Sequence, residues 1–584
     1  MITLTWILLG VGLYWVALVA ARNRGLLPGY VGTQGPIITL HTKRGREFLD
    51  RLSGPKRFWR AFANLGVGMA LVIMVLAFVF VVTAAYGQMR STEATAVTEP
   101  QNVLVIPGVN EFLPLSVAPE IVFGLLVALV FHEGAHGLLC RVEEIEIESM
   151  GLALLAFIPI GAFVEPEYES QKAADRGGQT RMFAAGVTAN VVVTVVAFAL
   201  LFGPVVGAIA VAPGAAVGGT FPGSAAADAG IDQGDRITAI DGVDVATTDE
   251  LTETLAETDE RTVTVTVDDE REVEVERSLL VVEAVPDGPT GLATNDTIVS
   301  VGGTDVNTER AFEDQLRERS EVTVETAEGD EETFAAGALV PEIEEGGPFD
   351  EAGAPTDAEW IVITEIDGER VLTAAELGEV LDEADETVEV EAYVDGERES
   401  YEVDRDDGRL GVFLQPGITG IGVSDFGIQE YPAEGYLAAL GGGGDDDAAA
   451  GGGFFGLVVS SLILPIASLV PELGLPFNFA GFTGHVTNFY VVEGPLSVLG
   501  AGPVFLLANL LFWTAWINFN LALFNCIPAF PLDGGHILRN STEAVVSRLP
   551  VSTGYELTKT VTISVGVTML LALLLMIFGQ GLLA

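Results

Sequence analysis

The chain is predicted to be a multi-span α-helical membrane protein interrupted by an inserted soluble, β-rich α+β region. Three observations predict this. Long apolar runs lie toward both ends of the chain, and the acidic residues concentrate between about 220 and 410. Within that acidic stretch apolar and polar residues alternate, as in Thr262–Val267, with the period of a half-buried strand. Of 584 residues 49% are apolar, yet 82 acidic against 28 basic residues leave a formal net charge of -54. Those figures are compatible only when the apolar and acidic residues occupy different parts of the molecule.

A membrane crossing needs about 20 apolar residues. The candidate spans are 3–20, 63–85, 119–140, 183–211, 503–525 and 560–582. The first run has no basic segment before it, so it reads as an anchor and not as a cleaved leader. The loop after it carries Arg22, Arg24, Lys43, Arg44, Arg46, Arg51, Lys56, Arg57 and Arg60, which places that loop in the cytosol. Counting onward, 86–118 is outside, the loop with Lys172, Arg176 and Arg181 is cytosolic, the acidic region is outside, and Arg539, Arg548 and Lys559 return to the cytosol. Phe454–Val470 is apolar but short, and Pro465 interrupts it. It reads as a helix lying in or dipping into the outer interface.

The spans and the composition divide the chain. Residues 1–115 hold two amino-terminal helices around the basic loop. Residues 116–212 and 454–584 form two halves of a membrane core, and 417–453 is a flexible Gly/Asp-rich linker. Between the halves a weak repeat runs through 213–280, 281–340 and 341–416. Its first copy has Gly223–Gly230, Gly234–Ile237, Ile240–Val243, a helix near Asp249–Leu255 and the strand Thr262–Val267. Its second copy has Asn295–Ile298, Val301–Gly303 and Ala311–Leu316, and is the most degenerate. Its third has Trp360–Ile363, Ile366–Gly368 and Ala374–Leu381. The copies resemble PDZ domains in the permuted form found in membrane proteases, against the plainer reading of generic α+β domains with D-G hairpin turns. The resemblance implies capture of peptide termini by addition to a sheet edge.

Composition also excludes partners. The acidity argues against nucleic acid, whose phosphates need Lys and Arg. Lys43, Lys56, Lys172 and Lys559 are the only lysines. Dense carboxylates with so few lysines read as adaptation to high salt, as in a halophilic archaeon; the plainer alternative is an acidic interaction domain. Cys140 and Cys526 are the only cysteines and imply no disulfide framework.

The chemistry is carried by His132-Glu133-Gly134-Ala135-His136, at the end of the apolar run Ile121–Phe131. On a helix this spacing sets two imidazoles one turn apart on one face, where they can bind zinc, with the Glu between them able to act on a metal-activated water. Ionisable groups within a span cost about 2.5–3.5 kcal/mol each, so a cluster tolerated there is a functional site by default. Zinc in a catalytic centre wants a third protein ligand. The best candidate is Asp533, in the segment Asn525–His536, which reads N-x-x-P-x-x-P-L-D-G-G-H. Pro528 and Pro531 break helical hydrogen bonding there, and Gly534 and Gly535 permit close backbone approach.

Taken together, H-E-G-A-H and N-x-x-P-x-x-P-L-D-G-G resemble the site-2 protease family of intramembrane zinc metalloproteases, over roughly 118–211 and 494–540. The resemblance implies a zinc ion held by His132, His136 and Asp533, with Glu133 as general base and Asn525 contacting the substrate backbone. Gly151–Pro166, with Gly161, resembles the family's membrane-dipping hairpin. Ala184–Asn190 resembles its Gly…Asn signature, with Val187 where a Pro is usual. By the same resemblance Gly161 and Asn190 join Asn525 as substrate-binding candidates.

The leading expectation is an intramembrane protease of the cell membrane. It would cleave transmembrane segments of other proteins within the lipid bilayer, with the metal toward the cytosolic side and the PDZ-like region extracellular. A catalytically silent scaffold of the same fold is the alternative. A metal-binding transporter is a third reading, but it predicts ionisable groups along other spans, and few are present. His485 reads as a surface or packing residue, and His536 as either structural or supporting the metal. Glu143, Glu144, Glu146 and Glu148 read as a solvated edge at the cytosolic interface.

Overall fold

The computed structural model of the chain describes residues 4–89, 107–108, 113–155, 158–405, 408–443, 453–470, 474–550 and 554–583. Most of the expected outer loop 86–118, and the Asp445–Asp447 part of the expected linker, lie outside the described residues. The chain divides into two compact units. One comprises Met1–Ala210, Glu434–Thr487 and Val491–Ala584; the other comprises Val211–Ala433 with Asn488–Tyr490.

The first unit is helical. It begins with α1 (Leu4–Asn23), the strands β1 (Val31–Gln34) and β2 (Ile37–His41), the amphipathic α2 (Lys43–Leu52) and the long α3 (Lys56–Gln88). It continues with α4 (Ala118–Val142), β3 (Ile147–Leu155), β4 (Ile158–Pro166) and α5 (Arg176–Leu200). After the second unit come α6 (Gly453–Ile463), α7 (Ala501–Asn525), α8 (Asp533–Val546) and α9 (Gly554–Leu583). Five helices are long and apolar enough to cross a membrane among the described residues: Lys56–Gln88, Leu115–Val142, Arg176–Ala208, Ala501–Asn525 and Gly554–Phe578. Six crossings were expected. The first falls on α1, whose apolar part among the described residues, Leu9–Asn23, is shorter than a full crossing. Gly453–Leu469 is likewise a short apolar helix, and its backbone leaves helical geometry at Ile466, after Pro465.

Small residues let these helices approach. On α3, Ala63, Gly66, Ala70, Met74, Ala77, Val81 and Ala85 are buried at helical spacing. Gly66 lies so close to the Thr188 hydroxyl of α5 that a side chain there would overlap it. The four strands form one antiparallel sheet, ordered β1-β2-β3-β4, with β4 against α4. The expected hairpin is its β3–β4 half. The amino-terminal hairpin was not expected; it pairs Ile37–His41 with Gly151–Leu155, so β4 keeps the free edge nearer the metal motif.

The carboxylate of Glu143 corrects the sequence reading. It is buried, receiving Arg60 Nε at 3.1 Å and Arg181 Nε at 2.8 Å, and so ties α3 and α5 to the end of α4. Glu144 is the exposed member expected, paired with Lys56 at 2.9 Å.

The second unit holds three larger sheets, each over its own core, and a two-stranded pairing of Glu342–Ile343 with Val412–Phe413. In the first the main path runs Arg271–Glu276, Thr262–Val267, Arg236–Ile240, Ala215–Thr220, Ile428–Glu430. The second repeats that order: Glu331–Ala335, Glu321–Thr326, Thr297–Val301, Leu279–Ala284, Ile421–Ser424. The third is built on Ala338–Val340, Ile361–Ile366, Thr387–Val394 and Glu397–Asp404. The closing strands of the first two sheets thus come after the third. The copies are nested and not in tandem, and the second has the strands of the first but not its short helix, Ala225–Asp228.

This corrects the reading of 417–453 as flexible linker. Ile421–Ser424 pairs with Leu279–Ala284, Ile428–Glu430 pairs with Ala215–Thr220, and Ala433–Ala439 is helical. Ile418 and Ile421 enter the second core, and Phe426 enters the first. The glycines that suggest a linker instead serve turns: Gly417, Gly420 and Gly427 have φ of 84°, 81° and 77°.

Between the first two sheets the chain crosses outward at Arg277 and back at Asp425. These two pair at 2.6 Å and 3.1 Å with only 2% and 3% of their side chains exposed.

Candidate metal centre

The geometry starts on α4. His132 and His136 stand one turn apart and face α5, where Gly186 opens the space they need. A Cβ on Gly186 would lie 2.6 Å from His132 Cε1 and 2.6 Å from His136 Nε2. Only glycine lets α5 close on both rings. The third group arrives from the far end of the chain. The backbone breaks after Asn525 and turns through Cys526–Leu532, and α8 starts at Asp533. Gly534 and Gly535 lie flat on that turn, where a Cβ would meet the backbone of Cys526, Ile527 and Ala529. This close packing aims Asp533 back at the imidazoles.

Three ligand atoms converge. His132 Nε2 and His136 Nε2 are 3.1 Å apart, and Asp533 Oδ2 lies 3.2 Å and 3.3 Å from them. Nitrogen and oxygen ligands about 2.0–2.1 Å from a tetrahedral zinc stand about 3.3 Å from one another. The spacing therefore fits a metal ion. So does the protonation pattern. His136 Nδ1 lies 2.7 Å from the Met182 carbonyl, so that nitrogen carries the hydrogen and Nε2 presents a lone pair. His132 Nδ1 lies 3.1 Å from the Asn190 amide, whose Oδ1 is buried without a partner. Turning that amide by 180° satisfies the oxygen with Nδ1–H and leaves His132 Nε2 free as well. Two lone pairs and a carboxylate oxygen then share one point, and Asp533 Oδ2 is itself buried with no hydrogen bond. A cation satisfies all three. These are the only three His, Cys, Asp or Glu side chains so grouped among the described residues.

Glu133 lies between the two imidazoles in the sequence, on the adjoining face of α4. Its Oε2 accepts the Val164 N–H of β4 at 3.1 Å, which sets the carboxylate between the metal motif and the free sheet edge. The remaining candidates separate. Asn190 is fully buried behind His132, so it orients a ligand and has no access to substrate, contrary to expectation. Gly161 lies on β4 opposite Ala153, with open space at its Cα apart from that residue's Cβ at 3.7 Å. Asn525 is half-buried at the end of α7, and its amide donates to Leu521 O at 3.0 Å. His536 stacks on Phe183 at 4.2 Å and meets the edge of Phe530 at 4.9 Å, a packing role.

The Met182 carbonyl and the Val164 N–H were not singled out from the sequence. Gly186 entered there only as the glycine of the Gly…Asn signature, without its packing role. A glycine inside an apolar helix costs about 1 kcal/mol against Ala and implies a packing reason.

Comparison with known proteins agrees with this centre. An uncharacterised protein of Methanocaldococcus jannaschii is 29% identical over 181 residues, which are 31% of this chain and 46% of that protein. The match thus spans about half the length of that relative. The family model described as peptidase family M50 matches residues 120–573, from the start of α4 into α9, a span that contains His132, His136 and Asp533. The chain belongs to peptidase family M50, the site-2 protease family, and is a multi-pass membrane protein of that metallopeptidase class.

Proposed function

We propose that the chain is an intramembrane zinc metalloprotease that cleaves transmembrane segments of membrane-anchored proteins. One observation carries this reading: His132, His136 and Asp533 meet within 3.3 Å although some four hundred residues of chain separate them, with Glu133 beside them. The donor set, two neutral imidazoles and a carboxylate, suits zinc with one position left open. Zinc bound there would polarise the scissile carbonyl and ease deprotonation of water.

The rest falls to the protein. Glu133 takes the proton of the attacking water and passes it to the leaving amide nitrogen, which breaks the peptide bond with atoms and charge in balance. The substrate backbone must leave its helix first. The free edge of β4 can hold it as an added strand, and Asn525 can hold a further backbone group.

The basic loops support an active site toward the cytosolic side of the cell membrane, with the acidic unit on the other side. The three nested sheets support PDZ-like modules that recognise or filter substrates, and the acidity supports a high-salt source. The alternative, a silent scaffold, loses ground to the intact ligand set. The test is co-expression with single-span membrane proteins, comparing wild type with Glu133→Gln. A protease loses its fragments and keeps its zinc, whereas identical fragment patterns would refute the proposal.

A further inference from the structure

Beside the metal centre lies an apolar cavity of about 700 Å³. Its lining includes Glu133 and Val164 of the β4 edge, which are joined by a hydrogen bond. It also includes Phe131 and Val192, which are 54% and 43% exposed on the apolar helices α4 and α5. The cavity therefore borders both the proposed general base and residues open to the surroundings of the apolar helices. Its remaining wall comes from α2 and the start of α3, through Leu52, Trp59 and Phe62. Trp59 is fixed by its indole N–H, which donates to the Leu52 carbonyl at 2.8 Å. Arg46 pins α2 to the sheet by donating to the Ile147 and Glu148 carbonyls. All of these wall residues precede residue 120, where the family match begins.

We propose that this cavity is a specificity pocket, walled by the amino-terminal segment, that takes bulky apolar side chains from two alternate positions of the substrate strand near the cleaved bond. The inference rests on the reading of the chain as a protease, and three features give it its form. A strand added to β4 sends residues i and i+2 to the same face, about 6.6 Å apart. The cavity is continuous with that edge and with Glu133. Its volume lies in the range of about 300–1,000 Å³ typical of whole ligand sites, so it holds more than one side chain. Glu133 and Thr42 apart, its lining carries no polar side chain, which favours leucine, isoleucine or phenylalanine over polar residues and gives alanine little to bind.

The test uses the full-length protein in vesicles with two synthetic single-span peptides. They are identical except for Leu or Ala at positions i and i+2, directly before a helix-breaking Asn-Gly pair. Wild type is expected to favour the Leu peptide in kcat/KM by about 10-fold or more. Leu52→Trp, which narrows the cavity, is expected to cut that preference to within about 2-fold while zinc content, read separately, stays at one per chain. A photo-reactive benzoylphenylalanine at position 52, in the Glu133→Gln form, is expected to capture the Leu peptide. Equal cleavage of both peptides by wild type, an unchanged preference in Leu52→Trp, or capture of lipid alone would overturn the pocket. Should wild type cleave neither peptide while capture of the Leu peptide persists, the protease reading fails and the binding pocket stands.

Discussion

Gly186 offers the sharpest test of the metal centre, because a single methyl group reports on it. In Gly186→Ala the new Cβ would sit 2.6 Å from His132 Cε1, 2.6 Å from His136 Nε2 and 2.8 Å from His132 Nδ1. Carbon needs about 3.5 Å or more from its neighbours. One side must therefore give by close to 1 Å. Both rings are held from behind, by Met182 and Asn190, so the strain falls on ring orientation or on the packing of α5 against α4. Ligand distances in a zinc site tolerate only about 0.2 Å.

Two stability effects oppose each other. Overpacking costs about 1–3 kcal/mol, and replacing a helical glycine by alanine returns up to about 1 kcal/mol. Fold stability should thus change little, while zinc affinity falls by at least the 10–100-fold seen when groups supporting a metal's ligands are lost. The assay is competition for zinc against a chromogenic chelator in detergent, with thermal unfolding of the metal-free protein alongside. Gly161→Ala is the control. It makes the same substitution where the nearest neighbour is 3.7 Å away, and it should leave zinc affinity unchanged. Retention of wild-type zinc affinity in Gly186→Ala would refute the assignment of the triad.

Other expectations follow from buried charge. Glu143→Gln removes the negative charge shared by Arg60 and Arg181 and turns one acceptor oxygen into a donor, and should cost about 1–3 kcal/mol in thermal unfolding, since it leaves the half-buried Arg181 without its counter-ion. Burial works to raise the Glu143 pKa, but hydrogen bonds and charge from Arg181 and Arg60 outweigh it and hold the group below its ordinary 4.5. That stabilisation is present above pH 4.5 and is lost as pH falls through the folded value, so the acid side of the stability–pH curve should flatten in Glu143→Gln. Arg277→Met or Asp425→Leu alone leaves one charge buried and should cost about 3–5 kcal/mol, while the double substitution should be close to neutral. A double loss equal to the sum of the two single losses, read by chemical unfolding, would show that the pair does not couple.

Legibility in the sequence followed the range of the interaction. The His132–His136 spacing is local, one helical turn, and could be read directly. Asp533 could be read because prolines and glycines around it mark a broken segment within an apolar region. The supporting contacts could not. The Met182 carbonyl and the Val164 N–H are backbone groups, which every residue carries. Glu143 looked like one of four acids in a solvated row, and only tertiary packing against Arg60 and Arg181 sets it apart. The β1–β2 hairpin escaped notice because its strands have four and five residues, too few for periodicity to rise above chance. The nested closing strands are as short, with four and three residues. Their glycines, needed for left-handed turns, also give the composition of a linker.

Nesting bears on how a site can be assembled from segments four hundred residues apart. An unstructured loop of the size of Val211–Ala433 would cost about 3 kcal/mol more to close than one of ten residues, since the penalty rises only as (3/2)RT ln n. The insert removes even that. Its outermost strands, Ala215–Thr220 and Ile428–Glu430, are hydrogen-bonded neighbours with Thr220 opposite Ile428, so its ends emerge side by side. The same device closes the second sheet within the first. The metal ligands, Gly186, Met182, Asn190 and Glu133 all belong to the helical unit. Replacing residues 214–431 with a short Gly/Ser linker should therefore leave one zinc per chain, bound with affinity within about 3-fold of wild type. Any role of the insert in choosing substrates would then show as altered selectivity alone. Loss of zinc from the shortened chain would mean that the insert is part of the folding nucleus of the centre, and that the two units are not energetically separable.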